Sequence, residues 1–356
     1  MDCDFIVIGG GIAGLSAGAA LAELGRVVVW EAEADLGYHA SGRSAALFEE
    51  SYGLPAVVAL NRASRAAHGA AGHLSPRGLM LVGLVGEEAA FEADLAAMEL
   101  QELDRAAARS RVSILSDAVT RVAFHEDASD LDTDAMLQGH ARVIRRAGGA
   151  VRTGRRVDQV QRSQGGWHVR AGPETIAARI LVNAAGAWAD QMAQRAGIDP
   201  LGLTPMRRSM ARLAAPGGRD VRAWPMLMGV GERWYAKPDA GAWIVSPAEE
   251  DPSEPLDAFA DDMVLAEGLD RYQRAVTEPV TRPRATWAGL RTFTPDRCLA
   301  LGPAPQDAAF IWVAGQGGYG FQTSPAAARL VADRIAGRPS ELDPDLVSAL
   351  DPERFA

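Results

Sequence analysis

The first 31 residues alternate apolar and polar stretches in an order that predicts a β-α-β unit. Residues 5–8 (FIVI) form an apolar run of the length of a buried strand, and residues 12–24 are an alanine-rich stretch typical of a helix, with Gly25 as its stop. Residues 27–30 form a second apolar run, and Glu31 follows it directly. Gly9-x-Gly11-x-x-Gly14 lies between the first strand and the helix, which is the arrangement of a dinucleotide-binding unit.

This glycine spacing suits a pyrophosphate. Gly9 permits a tight turn, Gly11 lets a phosphate approach the backbone because it has no Cβ, and Gly14 lets the helix pack close to the strands. The N-terminus of the helix offers free N–H groups and a partial positive charge to an anion. Glu31 can accept from a ribose hydroxyl, and its charge disfavours a ligand with a 2′-phosphate. The alternative is a glycine-rich turn in some other α/β protein.

The pattern along the rest of the chain predicts both helices and strands. Helices are expected at 54–75, 87–105 (with a second short helix after it), 134–146, from about 188, at 261–272 and at 323–337. An antiparallel meander is expected from residues 150–153, 157–162, 167–171 and 174–177. The apolar runs 78–85, 180–183 and 309–313 read as strands, and glycine-rich turns follow the last two at 184–186 and 315–320.

Residues 205–285 differ from the remainder because their strands are rich in Trp, Met and Tyr and are broken by Pro and Gly. We expect a mixed or antiparallel sheet there. No repeat and no low-complexity linker separates this region from the rest, so the two domains must interleave. The chain is predicted to be α/β, with a Rossmann-like dinucleotide domain from 1–77, 134–204 and 286–356 and a smaller substrate domain from 78–133 and 205–285.

Composition narrows the function classes. A net charge of −10 disfavours a nucleic-acid surface, and Lys237 is the only lysine among 36 basic residues. The two cysteines, Cys3 and Cys298, form no disulfide framework and no metal-ligand spacing, so no metal is expected. No apolar run approaches the length of a transmembrane segment, and the N-terminus leads directly into a strand without a leader. We therefore expect a cytoplasmic protein.

Five stretches in this order resemble the D-amino-acid-oxidase-type flavoproteins: DFIVIGGGIAGLSAG…VVVWE, GYHASGRSAA, LVNAAGAWAD, TWAGLRTFTPD and GQGGYGFQTSPA. Within that family the likeness is greatest to the bacterial D-arginine dehydrogenases, through GRSAA, a TDAL-like segment at 133–137, PMRRS, YAKPDAG, TWAGLR and GGYGFQTS. The resemblance covers nearly the whole chain. It implies FAD as the cofactor and an FAD-binding domain beside a substrate domain.

The resemblance also implies which residues hold FAD. Residues 41–45 would lie along the pyrophosphate and flavin, Val157 would hold the adenine through its backbone, and residues 317–322 would line the ribityl and pyrimidine end near a helix N-terminus. The full implied set is Gly9, Gly11, Ile12, Ala13, Gly14, Glu31, Ala32, Ser41, Gly42, Arg43, Ser44, Ala45, Val157, Ala185, Gly186, Gly317, Gly318, Tyr319, Gly320 and Gln322. Covalent members carry a cysteine just before Thr294-Pro295-Asp296, where this chain has none, so we predict non-covalent FAD.

A substrate carboxylate needs a bidentate cation, and Arg291 matches the carboxylate arginine of the family. Its apolar flanks predict a buried position, although most arginines are surface groups paired with an acid. Tyr52 and Tyr235 match two tyrosines that share the carboxylate in the D-arginine dehydrogenases, and Arg208 matches a second arginine. A one-residue alignment shift would exchange Arg208 for Arg207. The carbonyl of Gly318 would accept from the substrate amine.

The side-chain pocket departs from the family pattern. Leu47, Glu49 and Leu79 stand where the D-arginine dehydrogenases have a histidine, a threonine and a glutamate. Two alternatives follow: either Glu49 supplies the charge for a cationic side chain, or it points to solvent and the pocket is apolar. A buried, unpaired carboxylate would be costly, so Glu49 must meet a cation or face water. Of six histidines only His39 lies near the flavin segments, and hydride transfer from a neutral amine needs no protein base.

These residues predict FAD-dependent oxidative deamination of a D-amino acid by hydride transfer from Cα to flavin N5. The imino acid product would hydrolyse to a 2-oxo acid and ammonia. One alternative is the same fold acting on a secondary amine, such as an N-methyl amino acid, or on a 2-hydroxy acid. Another is a flavin-binding subunit without turnover. The sequence does not decide between oxygen and quinone as the electron acceptor.

Overall fold

The computed structural model describes residues 1–356 and contains twenty strands and nine α-helices. The strands are β1 Cys3–Ile8, β2 Val27–Trp30, β3 Leu47–Phe48, β4 Leu74–Pro76, β5 Leu79–Leu84, β6 Gln101–Leu103, β7 Val119–His125, β8 Ser129–Leu131, β9 Ala150–Arg152, β10 Gln159–Ser163, β11 Gly166–Ala171, β12 Glu174–Asn183, β13 Thr204–Leu213, β14 Met226–Gly229, β15 Tyr235–Asp239, β16 Ala242–Ser246, β17 Asp251–Pro252, β18 Ala285–Phe293, β19 Ala300–Ala304 and β20 Asp307–Ala314. The helices are α1 Ile12–Leu21, α2 Pro55–Ala70, α3 Glu88–Ala97, α4 Arg105–Arg111, α5 Thr133–Arg146, α6 Ala189–Arg195, α7 Asp262–Ala275, α8 Gly320–Ala336 and α9 Pro344–Ala349.

The predicted β-α-β unit is present at the N-terminus. Strands β1 and β2 pair in parallel and α1 connects them, although α1 ends at Leu21, three residues before the predicted end. Gly9 has a φ of +116°, and a Cβ there would lie 2.2 Å from the carbonyl oxygen of Ala184. A Cβ on Gly14 would lie 2.0 Å from the carbonyl oxygen of Gly9. Only glycine fits either position, as the spacing predicts.

An eight-stranded sheet carries this unit. Its order is β10-β11-β12-β1-β2-β9. Along the edge of β12 that faces away from β1, β11 pairs with the first half of β12 and β20 pairs with its last residues. Strand β19 pairs with β20 and completes the sheet. The strands β9, β2, β1, β12 and β20 run parallel, so their carboxyl ends meet at one edge, where ligands of open α/β sheets bind. Helices α1, α5 and α8 cover one face through a core that includes Phe5, Val29 and Ile311.

The second large sheet has nine strands, and it is mixed, as predicted. Its order is β17-β13-β16-β15-β14-β5-β7-β6, with β18 along the other edge of β13. The pair β5–β14 is parallel and all the others are antiparallel. The strands β5 to β7 come from the interval 78–133 and the rest come from 204–293, so both predicted substrate segments enter one sheet. A small sheet, β3-β8-β4, lies apart from it.

Three details of the predicted pattern are wrong. The helix expected at 87–105 ends at Ala97, because residues 101–103 pair with β7 as the edge strand β6. Residues 150–153 are not in the meander, because β9 extends the parallel sheet beside β2. The runs 174–177 and 180–183 are one ten-residue strand, β12, which pairs with β11 through its first half and with β20 through its last residues.

The division into domains stays a prediction. Strand β18 begins at Ala285 and pairs with β13 along nine positions of the second sheet, so the predicted boundary at 286 assigns this strand to the other domain. No helix combines the length and the apolar character that crossing a membrane requires. No group of three or more histidine, cysteine or carboxylate side chains is placed to hold a metal ion.

Candidate active site

A cavity of about 410 Å³ receives residues from both large sheets. At one end lie the turn after β1, the N-terminus of α1 and the turn after β12. At the other lie side chains of β13, β14, β15 and β18. Every residue proposed for the substrate lines this cavity: Arg208, Arg291, Tyr52, Tyr235, Gly318, Leu47, Glu49 and Leu79. All residues of the predicted FAD set line it as well, except Gly14, Gly42 and Tyr319.

Glu31 and Ser41 hold the backbone at the dinucleotide end. The carboxylate of Glu31 accepts from the N–H of Gly10 at 2.6 Å and from the N–H of Glu33 at 2.8 Å. Ser41 Oγ accepts from the N–H of Ile12 at 3.0 Å, at the start of α1. Both side chains therefore fix the turn against the helix, and Glu31 keeps lone pairs that could accept from a ribose.

The adenine position proposed for Val157 lies in the loop before β10, and not in a strand. Its carbonyl oxygen accepts from Arg195 Nη1 at 2.8 Å. The N–H of Val157 is therefore the backbone group left to hold an adenine. Val157 is buried and packs in the core on the far face of the sheet from α1.

Arg43 lines the cavity, and its side chain binds neighbouring segments of the protein. Its Nη1 donates to the carbonyl oxygens of Ala258 and Ala288, both at 2.9 Å, and its Nη2 donates to Asp257 at 2.5 Å. Lys237 holds the other end of the same segment by donating to the carbonyl oxygen of Ala45 at 2.8 Å and to Asp130. Two cations thus anchor residues 43–45 to the second sheet and its loops.

Five buried polar atoms of cavity-lining residues have no partner in the protein: Gln316 Nε2, Gln322 Nε2, Thr292 Oγ1, Arg208 Nε and Trp30 Nε1. Gln322 is the clearest case, because its Oε1 accepts from the N–H of Glu49 at 3.2 Å, which leaves its Nε2 as a donor. Buried donors of this kind normally have acceptors. The carbonyl groups and hydroxyls of a flavin and its ribityl chain supply them, so the lining fits FAD.

The carboxylate end holds a residue that the sequence did not indicate. Glu232, in the turn between β14 and β15, accepts from Arg208 Nη1 at 2.7 Å and from the hydroxyl of Tyr52 at 2.8 Å. Arg291 Nη1 lies 3.5 Å from the same oxygen that Arg208 contacts. Tyr235 is buried beside them, with the Arg208 guanidinium 5.9 Å from its ring centre. Three predicted carboxylate ligands therefore already share one protein carboxylate.

The structure distinguishes the two neighbouring arginines of β13. Arg208 lines the cavity, whereas Arg207 points away from it and pairs with Asp251 at 3.3 Å. Arg208 is bound on both sides, because its Nη2 donates to Glu250 at 3.1 Å. Arg291 has one long contact with a carboxylate, that of Glu232, so more of its donors are left for a ligand than those of Arg208, of which only Nε lacks a partner.

Burial and charge set the protonation states at this end. Burial alone would raise the pKa of Glu232, but Arg291 and Arg208 outweigh it and hold that pKa below its ordinary value. Burial alone would lower the pKa of Arg291, but Tyr52, Tyr235 and Glu232 raise it. Burial, followed by the charge of Glu232, raises the pKa of Tyr52. These shifts favour a carboxylate at Glu232, a guanidinium ion at Arg291 and a neutral hydroxyl at Tyr52.

Glu49 does not point to solvent, so the solvent-facing position in the second alternative is wrong, whereas the apolar pocket in it stays a prediction. Its residue is 2% exposed, and its carboxylate lies 2.8 Å from Nδ1 of His125, on β7, and accepts from the N–H of Ser51 at 3.2 Å. Burial raises the pKa of Glu49, and the bond to His125 opposes that effect. The partner that Glu49 meets is therefore the imidazole of the chain's own His125. No sequence pattern links these positions, because β7 reaches Glu49 only through its pairing with β5 at Leu79.

Apolar side chains dominate the rest of this end. Leu47 and Leu79 line the cavity together with methionines that sequence reasoning did not single out: Met98, Met210, Met226 and Met228. Met226 is the partner of Leu79 across the β5–β14 pair, and Met228 is the partner of Tyr235 across β14–β15. Met226 and Met228 are two residues apart on β14, so the alternation of this one strand puts both methionines on the face that lines the cavity.

Comparison with known proteins places this geometry in a family. Residues 4–334 match the family described as DAO, FAD dependent oxidoreductase. Two solved structures share the fold over nearly the whole chain. Glycine oxidase from Geobacillus kaustophilus has a TM-score of 0.81 at 21% identity, covering 98% of each chain. L-proline dehydrogenase from P. horikoshii has a TM-score of 0.82 at 22% identity, covering 99% of this chain and 97% of that one.

Among curated proteins, the FAD-dependent oxidoreductase domain-containing protein 1 of Bos taurus is 28% identical over 178 residues, which are 46% of this chain and 36% of that protein. The match thus spans about a third of that relative's length. The N-terminal β-α-β unit, the cavity shared by two sheets and its unpaired buried donors agree with the family match. The chain belongs to the DAO family of FAD-dependent oxidoreductases.

Proposed function

We propose that this enzyme oxidises the α-carbon of a D-amino acid with an apolar side chain, giving an imino acid that water hydrolyses to a 2-oxo acid and ammonia. The observation that carries the proposal is Arg291, a guanidinium with free donors at the end of the cofactor cavity. The D configuration rests on the resemblance of TWAGLR and its neighbours to the D-arginine dehydrogenases.

Arg291 would bind the substrate carboxylate with two parallel hydrogen bonds and so fix the orientation of the α-carbon. The hydroxyl of Tyr235 would donate to the same carboxylate, and the carbonyl of Gly318 would accept from the amine. The single hydroxyl proton of Tyr52 stays with Glu232, so Tyr52 would border the substrate without donating to it. Gly318 lies against Arg291, since a Cβ there would be 2.9 Å from Nη1. When bound, FAD supplies the two-electron acceptor for the hydride that leaves the α-carbon. The amine must lose its extra proton to solvent before that step, because its lone pair forms the new C=N bond.

The preference for an apolar side chain rests on Leu47, Leu79 and the methionines around them. Methionine adapts its shape and fits a range of apolar partners. Glu49 favours a second candidate, a substrate with a cationic side chain, since its carboxylate lines the same cavity. Such a substrate would have to compete with His125 for that carboxylate, so we rank this candidate second.

The test is anaerobic bleaching of the flavin by D-amino acids, L-amino acids, N-methyl amino acids and 2-hydroxy acids. We expect D-Met and D-Leu to bleach fastest. Bleaching only by N-methyl amino acids or 2-hydroxy acids would show that the same site oxidises those substrates instead of D-amino acids. No bleaching by any D-amino acid would contradict the proposal, and no bleaching by any class would favour a flavoprotein without turnover.

Glu49→Gln separates the two side-chain candidates. We expect it to change kcat/KM for D-Met and D-Leu by the same factor as for D-Arg and D-Lys, because Glu49 serves His125 rather than the substrate. His125→Gln is the matched variant, since it leaves Glu49 without its partner. A loss confined to D-Arg and D-Lys in Glu49→Gln would establish the cationic substrate instead.

A further inference from the structure

The turn that carries Glu232 is held from outside the cavity. Glu232 has a φ of +51°, which is unusual for a residue with a side chain and marks a conformation imposed by its surroundings. The preceding N–H, of Gly231, donates to Asp94 of α3 at 2.6 Å. The following carbonyl, of Arg233, accepts from Arg271 of α7 at 2.9 Å. Two helices thus fix the turn in the conformation that presents Glu232 to the cavity.

The contacts of Glu232 are those that a substrate carboxylate would seek. One oxygen takes a guanidinium N–H of Arg208 and lies near Arg291, and the other takes the hydroxyl of Tyr52. These are charge-assisted bonds, which are stronger than bonds between neutral groups. The Glu232 carboxylate is therefore a fixed part of the site. A substrate carboxylate that binds beside it is repelled by its negative charge.

The charged groups at the arginine end of the cavity carry a net positive charge of one. Arg208 and Arg291 contribute two positive charges, and Glu232 contributes one negative charge. Glu250 and Glu249 also act on Arg208, but both lie outside the cavity lining. Glu250 shares its charge with Arg297 at 2.7 Å, and burial raises the pKa of Glu249, which accepts from the N–H of Ser209. One positive charge, on Arg291, is left for the substrate. One substrate carboxylate neutralises it, and a second would be repelled.

We propose that Glu232 is a specificity-determining residue that limits the substrate to a single carboxylate at the arginine end of the cavity. The inference rests on the proposed function, because it takes Arg291 as the carboxylate ligand. It goes further in assigning Arg208 to the protein's own carboxylate rather than to the substrate. Removal of the negative charge of Glu232 would convert a site for monocarboxylates into one that also accepts dicarboxylates.

The experiment compares acetate with malonate as unreactive probes, by calorimetric titration of the FAD-loaded enzyme. We expect the wild type to bind malonate no more tightly than acetate. Glu232→Gln should bind malonate at least tenfold more tightly than the wild type does, while acetate affinity changes less than threefold. Glu250→Gln is the matched control, since it removes a charge from the same arginine without changing the cavity. It should leave the malonate-to-acetate ratio unchanged.

Two results would overturn the inference: an unchanged ratio in Glu232→Gln, or an equal gain in Glu250→Gln. If Glu232→Gln does not fold, the wild type still decides, because malonate that binds more tightly than acetate contradicts the charge count. The substrate panel is independent of these titrations. Failure of every D-amino acid there would contradict the proposed function, whereas the ratio of malonate to acetate affinity contradicts or supports the carboxylate selection alone.

Discussion

At the scale of single residues, the positions with a family motif were predictable and the positions set by turn geometry were not. Arg291 lies in TWAGLR and reaches the cavity as expected. Glu232 has no motif, and its side chain enters the cavity only because the turn adopts a left-handed backbone conformation. The partner of Glu49 was equally out of reach, since His125 is 76 residues away along the chain.

We expect Arg291→Met to lower kcat/KM by on the order of 10²-fold, mainly through KM, because it removes about 3 kcal/mol of charge-assisted bonding to the carboxylate. Arg207→Met is the matched control, since Arg207 lies next to Arg208 but outside the cavity. Steady-state kinetics with the best substrate of the panel measure both variants. An unchanged KM in Arg291→Met would remove this residue from the site.

At the scale of secondary structure, the long periodic segments were predictable and the edges were not. Helix α5 spans Thr133–Arg146, one residue longer than expected, because Asp132 caps it by accepting from the N–H of Ala135. Strand β6 was missed, since residues 101–103 have no strand pattern of their own and depend on pairing with β7. Pairing between distant segments is information that a local pattern does not contain.

The segment that carries Asp257 and Ala258 closes one side of the cavity, and its contacts with Arg43 predict an effect on cofactor binding. Asp257→Asn should raise the dissociation constant of FAD by about two- to fivefold, since the pair is partly exposed and worth at most about 1 kcal/mol. Flavin fluorescence after dilution measures the release. Asp262→Asn, at the exposed first turn of α7, is the control, and equal release from both variants would contradict the role of this segment.

Helix α5 also brings His140 into a group with His68 and His73. Burial, followed by the charges of His73 and His68, lowers the pKa of His140 to about 4. A histidine with a lowered pKa in the folded state takes up its proton only on unfolding, so acid favours the unfolded chain. The free energy of unfolding should therefore decrease as pH falls from about 6.5 to about 4, with a loss of about 3 kcal/mol from this residue.

Denaturant titrations across that pH range test this expectation. His140→Gln should flatten the decline, because glutamine does not titrate. His168→Gln, at an exposed position of β11, should leave the decline as it is in the wild type. Parallel curves for the wild type and His140→Gln would show that another group causes the acid sensitivity.

At the scale of the whole molecule, the interleaving of the two predicted domains follows from the sequence because no linker separates them. The position of β18 does not follow from the sequence. Residues of its motif line the cavity, while its backbone pairs with β13 in the second sheet. Strand β18 is therefore part of the cavity and of the second sheet. The boundary that composition predicts at residue 286 assigns β18 and β13 to different domains, although the two strands pair.

Both cysteines lie outside the cavity lining, which bears on how the cofactor is held. We expect acid precipitation to release FAD into the supernatant, because no thiol is placed to bond to the flavin. We also expect the FAD-free protein to melt at a lower temperature, since a ligand that binds only the folded state stabilises it by mass action. A yellow pellet after acid precipitation would contradict non-covalent binding.

The pairing of β12 with both β1 and β20 has a consequence for biosynthesis. Strand β1 cannot pair with β12 until residues 178–183 have been synthesised. Strand β12 in turn cannot pair with β20 until residues 310–312 have been synthesised. Contacts this distant along the chain slow folding, and α8 completes the cavity still later. On the ribosome, the apolar strands β1 and β2 therefore lack part of their sheet until β20 has been made, and the cavity is complete only after α8 has followed.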